Sequence, residues 1–154
     1  MLTGTSSIMP HATKVLAIAA LLVAQPARAC WEEAANKYGI DANLLYAIAK
    51  TESNLNPHAL NKNKNGSYDI GLMQINSTWL PTLRKYGLDE KQLYEPCTSI
   101  QVAAWILAQN VQRFGYTWNA VGAYNANSPS LRLRYELKVS KNLPLATRTD
   151  MADE

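Results

Sequence analysis

The chain has 154 residues, 15 of them Lys or Arg and 12 Asp or Glu, for a formal net charge of +3. Two of the basic residues, Lys14 and Arg28, fall in a leader described below, and without them 13 basic residues face 12 acidic ones. With near-neutral charge and no lysine- or arginine-rich run, nucleic acid is not an expected partner; with two cysteines and no clustered histidines, zinc and iron–sulfur sites are not expected either.

Residues 15–24, VLAIAALLVA, are an uncharged run of ten, half of the roughly 20 residues a helix needs to span a bilayer. Lys14 precedes the run, and Ala27-Arg28-Ala29 puts small residues at the two positions a signal peptidase reads. This pattern predicts a secretory signal peptide over residues 1–29, cleaved after Ala29, with the periplasm or beyond as destination and no stable membrane span afterwards. Met9 is an alternative start, a short buried core helix is the alternative to a leader, and Arg28 disfavours a lipoprotein site at Cys30.

Residues 30–154 are then 125 in number, enough for one domain with a substantial core. Cys30 and Cys97 both lie in this exported part, where two cysteines most simply pair. Such a bond contributes on the order of 4 kcal/mol by chain entropy. Two free buried thiols are the alternative.

CWEEAANKYG, residues 30–39, gives a short helix stopped by Gly39. Asp41 is placed to cap a second helix that runs through Glu52 and ends before Pro57. The polar stretch 56–69 follows, and its Asn65-Gly66 pair predicts a hairpin turn. Asn61, Asn63 and Asn65 have the spacing of a calcium loop, but the last ligand position would be Leu72, which cannot bind a cation. A helix is expected from Ser77 to Tyr86, closed by Gly87. The longest helix is expected from a Thr98 cap to Gly115, with Ile100, Ala104, Leu107, Ala108 and Val111 on one face. Thr117 starts another. Leu131, Leu133, Tyr135, Leu137 and Val139 alternate as in a strand, while Leu131, Tyr135 and Val139 also share a helical face; helix is the preferred reading. The domain is predicted to end at residue 142, with 143–154 a disordered tail.

The chemistry begins with AIAKTESNLNP. Leu44, Leu45, Ile48 and Ala49 recur on a buried helical face, and Glu52 is the next position on it. Glutamate is seldom buried without a partner. An apolar wall disfavours its charged form, which is what a general acid working near neutral pH requires; a tie to a helix end or an ion pair is the structural alternative. Downstream, SYDIGLMQIN supplies a second carboxylate, Asp69, together with Gly71 for close backbone approach. Gln74 and Asn76 there carry amides suited to sugar hydroxyl and acetamido groups. Two carboxyls in unlike surroundings are the equipment for breaking a glycosidic bond, unless Asp69 only closes a turn.

ESNLNP, GLMQIN and AYNAN stand in the order and rough spacing of the lysozyme-like lytic transglycosylases of the SLT type, and the chain resembles the small specialised ones that accompany secretion and conjugation machines. Animal C-type lysozymes are also similar around the two acids. The resemblance covers about residues 30–140. It implies a mainly α, lysozyme-like (α+β) fold, short helices in two lobes with a small hairpin beside a cleft. It also implies a peptidoglycan substrate, no cofactor and no metal. Glu52 would be the acid and later the base in cutting the β-1,4 bond between N-acetylmuramic acid and N-acetylglucosamine, with a 1,6-anhydro product. Many lytic transglycosylases lack a second carboxylate, so Asp69 leans towards the lysozyme pattern and keeps hydrolysis open as an outcome. Ser53 is expected to orient Glu52 or a sugar, Gln74 and Asn76 to contact glycan, and Tyr124, beside Asn125, to reach the catalytic glutamate. The family often has glycine where this chain has Ala126 or Asn127. Trp79 is placed either to stack on a sugar or to pack in the core; Trp31, Trp105 and Trp118 are expected in the core, and His58 in solvent. A catalytically silent glycan-binding module is the rival from outside enzymes.

Overall fold

Gly39 ends the first helix, α1 (Gln25–Tyr38), in a left-handed turn at φ +66°, and Asp41 starts the second, α2 (Ala42–Ser53). The Asp41 carboxylate accepts the amides of Asn43 at 2.7 Å and Leu44 at 3.1 Å, two donors that a helix start otherwise leaves open. The computed structural model describes residues 25–144. Residues 1–24 of the expected leader and residues 145–154 of the expected tail lie outside the described residues. α1 itself begins five residues before Cys30, and Leu143 is buried against the core, so the packed domain reaches at least one residue past 142.

α2 ends in two consecutive left-handed residues, Asn54 (φ 53°) and Leu55 (φ 66°). They turn the chain sharply into a three-stranded antiparallel sheet of β1 (Leu60–Lys62), β2 (Tyr68–Ile70) and β3 (Ile75–Asn76), with β2 in the middle. Asn65 and Gly66 lie in the turn between β1 and β2, with Gly66 at φ +86°. The expected helix from Ser77 is shorter than predicted. A 3₁₀ turn (Ser77–Trp79) leads into α3 (Leu80–Arg84).

The long central helix, α4 (Pro96–Phe114), starts two residues before Thr98. Proline fixes a helical φ and has no amide to leave unpaired, so Pro96 opens the first turn and Thr98 falls inside it. α4 ends at Gly115 as expected, and Thr117 precedes α5 (Trp118–Asn125). The ambiguous segment is a helix, α6 (Pro129–Lys141). Tyr135 and Val139 are buried on it, whereas Leu131 is exposed.

α4 packs against α1 and α5, and α6 packs on α5 and α2. The core they share includes Leu44, Leu45 and Ile48 of α2, Ile100 and Leu107 of α4, and Met73 from the turn after β2. A Cys30–Cys97 disulfide ties α1 to the first turn of α4, with Cα atoms 5.3 Å apart. Trp31, Trp105 and Trp118 are half-buried against this core. The result is a mainly helical, lysozyme-like domain with a small sheet on one side.

Candidate active site

Glu52 sits in the last turn of α2, where the apolar face of that helix meets a groove of about 520 Å³. Burial is the chief reason its carboxyl is pushed up to about 7; the Tyr135 hydroxyl pulls the other way, the Asp69 charge raises it further and Lys138 lowers it. A carboxylic acid is thereby poised near neutrality. The Tyr135 hydroxyl donates to Glu52 Oε1 at 2.5 Å. Tyr135 in turn stacks on Tyr124, ring centroids 6.4 Å apart. Burial, and next the Glu52 charge, hold both phenols well above their usual range, so both remain donors.

This corrects one expectation. Tyr124, the tyrosine of AYNAN, does not bond to Glu52; its hydroxyl donates to the Met73 carbonyl at 2.9 Å. The hydroxyl on Glu52 belongs to Tyr135, which the sequence reading missed. The available signal was its place on the buried face of α6, where a tyrosine needs a polar partner for its hydroxyl.

Asp69 lies at the centre of β2, directly across from Asn61 on β1 and Asn76 on β3. Asn76 Nδ2 donates to its Oδ1 at 2.7 Å, and Asn63 Nδ2 at 3.0 Å and Asn61 Nδ2 at 3.5 Å donate to its Oδ2. Two of the three alternate asparagines that have the spacing of a calcium loop thus hold a carboxylate instead, while Asn65 accepts from Ser67. Asn61 reaches it from β1, and Asn63 from the residue just past the end of that strand. Among the described residues no cluster of His, Cys, Asp and Glu is arranged for a metal.

Glu52, Asp69, Gln74, Asn76, Trp79, Tyr124 and Asn125 all line the same groove, joined by Ile106 of α4. Ser53 does not line it. Its hydroxyl donates to the Leu72 carbonyl at 2.7 Å and accepts the Asn56 amide at 3.1 Å, so it fixes the end of α2 to the turn after β2 instead of orienting Glu52 or a sugar. Asn76 is likewise committed to the protein: besides Asp69, it donates to Ser67 and its oxygen accepts the Thr78 amide. Gln74, at φ 49°, donates to the carbonyls of Gly71 at 2.9 Å and Ala59 at 3.3 Å. Trp79 lines the groove, and its ring meets Trp105 edge-on at 5.4 Å. His58 is exposed and outside the groove, near the Tyr94 ring. Ala126 has an extended backbone (φ −144°), which does not call for glycine.

The turn carrying these residues is bolted to three helices. Ser53 of α2 holds the Leu72 carbonyl, buried Ser99 of α4 accepts the Met73 amide at 3.2 Å, and Tyr124 of α5 holds the Met73 carbonyl. Gly71 starts that turn at φ +73°, where any Cβ would run into the Leu93 carbonyl oxygen.

A lysozyme-like fold with a reluctant acid on one side of an open polar groove and an amide-held carboxylate on the other is that of an enzyme acting on glycosidic bonds. The family model described as Transglycosylase SLT domain matches residues 29–140. The chain belongs to this family and is a peptidoglycan lytic transglycosylase. It is 48% identical over 118 residues to invasion protein IagB of Salmonella typhimurium (strain SL1344), covering 73% of this chain and 74% of that protein. It is 41% identical over 115 residues to protein IpgF of Shigella flexneri, covering 74% and 76%. Among solved structures, an inactive mutant of lytic transglycosylase Slt from Pseudomonas aeruginosa matches 75% of this chain and 23% of its own length. That match has a TM-score of 0.61 and 24% identity, and it supports the shared fold.

Proposed function

We propose that this protein cleaves the β-1,4 bond between N-acetylmuramic acid and N-acetylglucosamine by intramolecular transfer. Glu52, protonated, gives its hydrogen to the bridging oxygen as the C1–O4 bond breaks. The same carboxylate then takes the proton of the muramic C6 hydroxyl as that oxygen bonds to C1. The products are a 1,6-anhydro end and a free 4-hydroxyl, and no water is consumed. The observation that carries this reading is Glu52 itself. A group that titrates near neutrality can be acid in one half of the reaction and base in the other. Asp69, held as an acceptor by amides, would stabilise the positive charge that develops at C1.

A second reading has one observation in its favour. The same Asp69, fixed beside the groove, matches the two-carboxylate arrangement of hydrolytic muramidases, in which water attacks C1. Mass spectrometry of digested sacculi separates the two: anhydro ends support transfer, and reducing ends replace it with hydrolysis. Wild-type protein that binds sacculi as tightly as Glu52→Gln and clears them no better would favour the silent binding module.

The biological setting is proposed as local opening of the wall for an envelope-spanning secretion or conjugation apparatus, with the protein in the periplasm. The relative named an invasion protein supports this setting, as does the leader pattern in residues 1–29. Cleavage after Ala29 would trim the first turn of α1 and leave Cys30 at the new N-terminus. N-terminal sequencing of exported protein tests it.

A further inference from the structure

The groove has a charge problem of its own. Its lining includes two carboxyl groups, Glu52 and Asp69, and the polymer proposed to enter it is an anion. Peptidoglycan strands carry a peptide on the lactyl group of each muramic residue, and those stems end and branch in carboxylates. Like charges across a binding surface disfavour association. Among the described residues that line the groove there is a single cation, Lys64.

Lys64 is exposed at the tip of the turn between β1 and β2, and the turn beneath it is firmly closed. Asn63 donates its amide to the Ser67 carbonyl at 2.8 Å, and the Gly66 amide returns to the Asn63 carbonyl at 3.1 Å. The Asn65 side-chain oxygen accepts both the amide and the hydroxyl of Ser67, at 3.1 and 2.8 Å. A flexible ammonium therefore stands on a fixed base at the rim of the groove. Lys138, the cation felt by Glu52, belongs to α6 and does not line the groove.

We infer that Lys64 is a specificity-determining residue that reads the carboxylates of the stem peptides and so favours peptide-bearing strands over uncharged glycan. This rests on the peptidoglycan reading above. An exposed ion pair is weak and salt-screened, so the effect is a preference among substrates and not a condition for turnover.

The test compares soluble peptidoglycan strands with free stem carboxylates against the same strands after carbodiimide coupling to ammonia, which converts those groups to amides. The wild-type enzyme should favour the free-carboxylate strands by roughly two- to fivefold in kcat/KM, the size of a surface ion pair, with the difference in KM and eroded by salt. Lys64→Gln should lose that preference, treating the strands alike or tilting to the amidated one, and Lys64→Glu should favour the amidated strands outright. A Lys64→Gln variant that keeps the wild-type preference, or a wild-type enzyme with none, overturns the inference. Equilibrium binding of both strand types to Glu52→Gln, with and without Lys64→Gln, should show the same pattern. That arm keeps the role of Lys64 separable from the proposed reaction, whose own failure would appear as an absence of anhydro ends from either strand.

Discussion

Tyr135 and Glu52 lie 83 positions apart in the chain and meet hydroxyl to carboxylate at 2.5 Å, the last helix supplying the partner of an acid carried by the second. The bond favours the charged form of Glu52, while burial, the larger influence, disfavours it. Tyr135→Phe removes the first and leaves the second. The alkaline limb of the pH–rate profile, expected in the wild type where Glu52 titrates at about 7, should therefore move to higher pH. kcat at its optimum should fall roughly tenfold, the equivalent of one buried hydrogen bond to a charged group. A limb that moves to lower pH would contradict this account of the site.

The same burial has a stability consequence. Glu52 titrates at about 7 in the folded chain against an ordinary value of 4.5. A group whose folded value is raised contributes stability that is complete below the unfolded value and is lost as pH rises through the folded one. Glu52→Gln removes that loss and keeps an oxygen for the Tyr135 hydroxyl. Relative to the wild type, it should gain on the order of 1–3 kcal/mol between pH 4.5 and pH 8, with partial exposure reducing the full figure. Urea unfolding of both proteins at the two pH values measures it.

Asp69→Asn is less conservative than its shape suggests. Every side chain that bonds to this carboxylate is an amide donor, from Asn61, Asn63 and Asn76. An asparagine would turn its own NH2 on one of them. Turnover should fall about a hundredfold through lost charge stabilisation, and stability should drop by about 1–2 kcal/mol. Steady-state kinetics beside a thermal melt separates the two effects. Turnover within a factor of two of wild type would make Asp69 a structural residue.

The helices and the acid were legible because they are local. Asp41 capping α2, Gly115 closing α4 and Glu52 continuing an apolar face each rest on residues within a turn or two of one another. The register that sets Asn61 and Asn76 on either side of Asp69 is not local, and neither is the stacking that brings Tyr135 under Glu52. The motif position of Tyr124 suggested the hydroxyl on Glu52, but the packing of α6 on α5 delivered a different one. Ser53 misled in the same way: adjacency to Glu52 in sequence puts it about 100° away around the helix, facing the turn after β2 and not the groove.

Gly122 shows how narrow that helix packing is. A Cβ there would meet Arg132 Cβ at 2.6 Å and the backbone Cα of Arg132 at 3.0 Å, atoms that cannot swing aside. Gly122→Ala should push α6 outward and lower stability by about 1–3 kcal/mol. Because Tyr135 rides on α6, kcat should fall as well, with its pH limb shifted in the direction expected for Tyr135→Phe.

Met73 has a wider consequence. Its amide and its carbonyl are both held by side chains from other helices, Ser99 and Tyr124. What pins this turn is therefore main chain, which every amino acid except proline supplies in full. The thioether is exchangeable for another greasy group of similar bulk. The three hydroxyls of Ser53, Ser99 and Tyr124 have no such latitude, although none is assigned a part in the chemistry. Residues that look like sugar-readers in a motif can be the rivets of the machine.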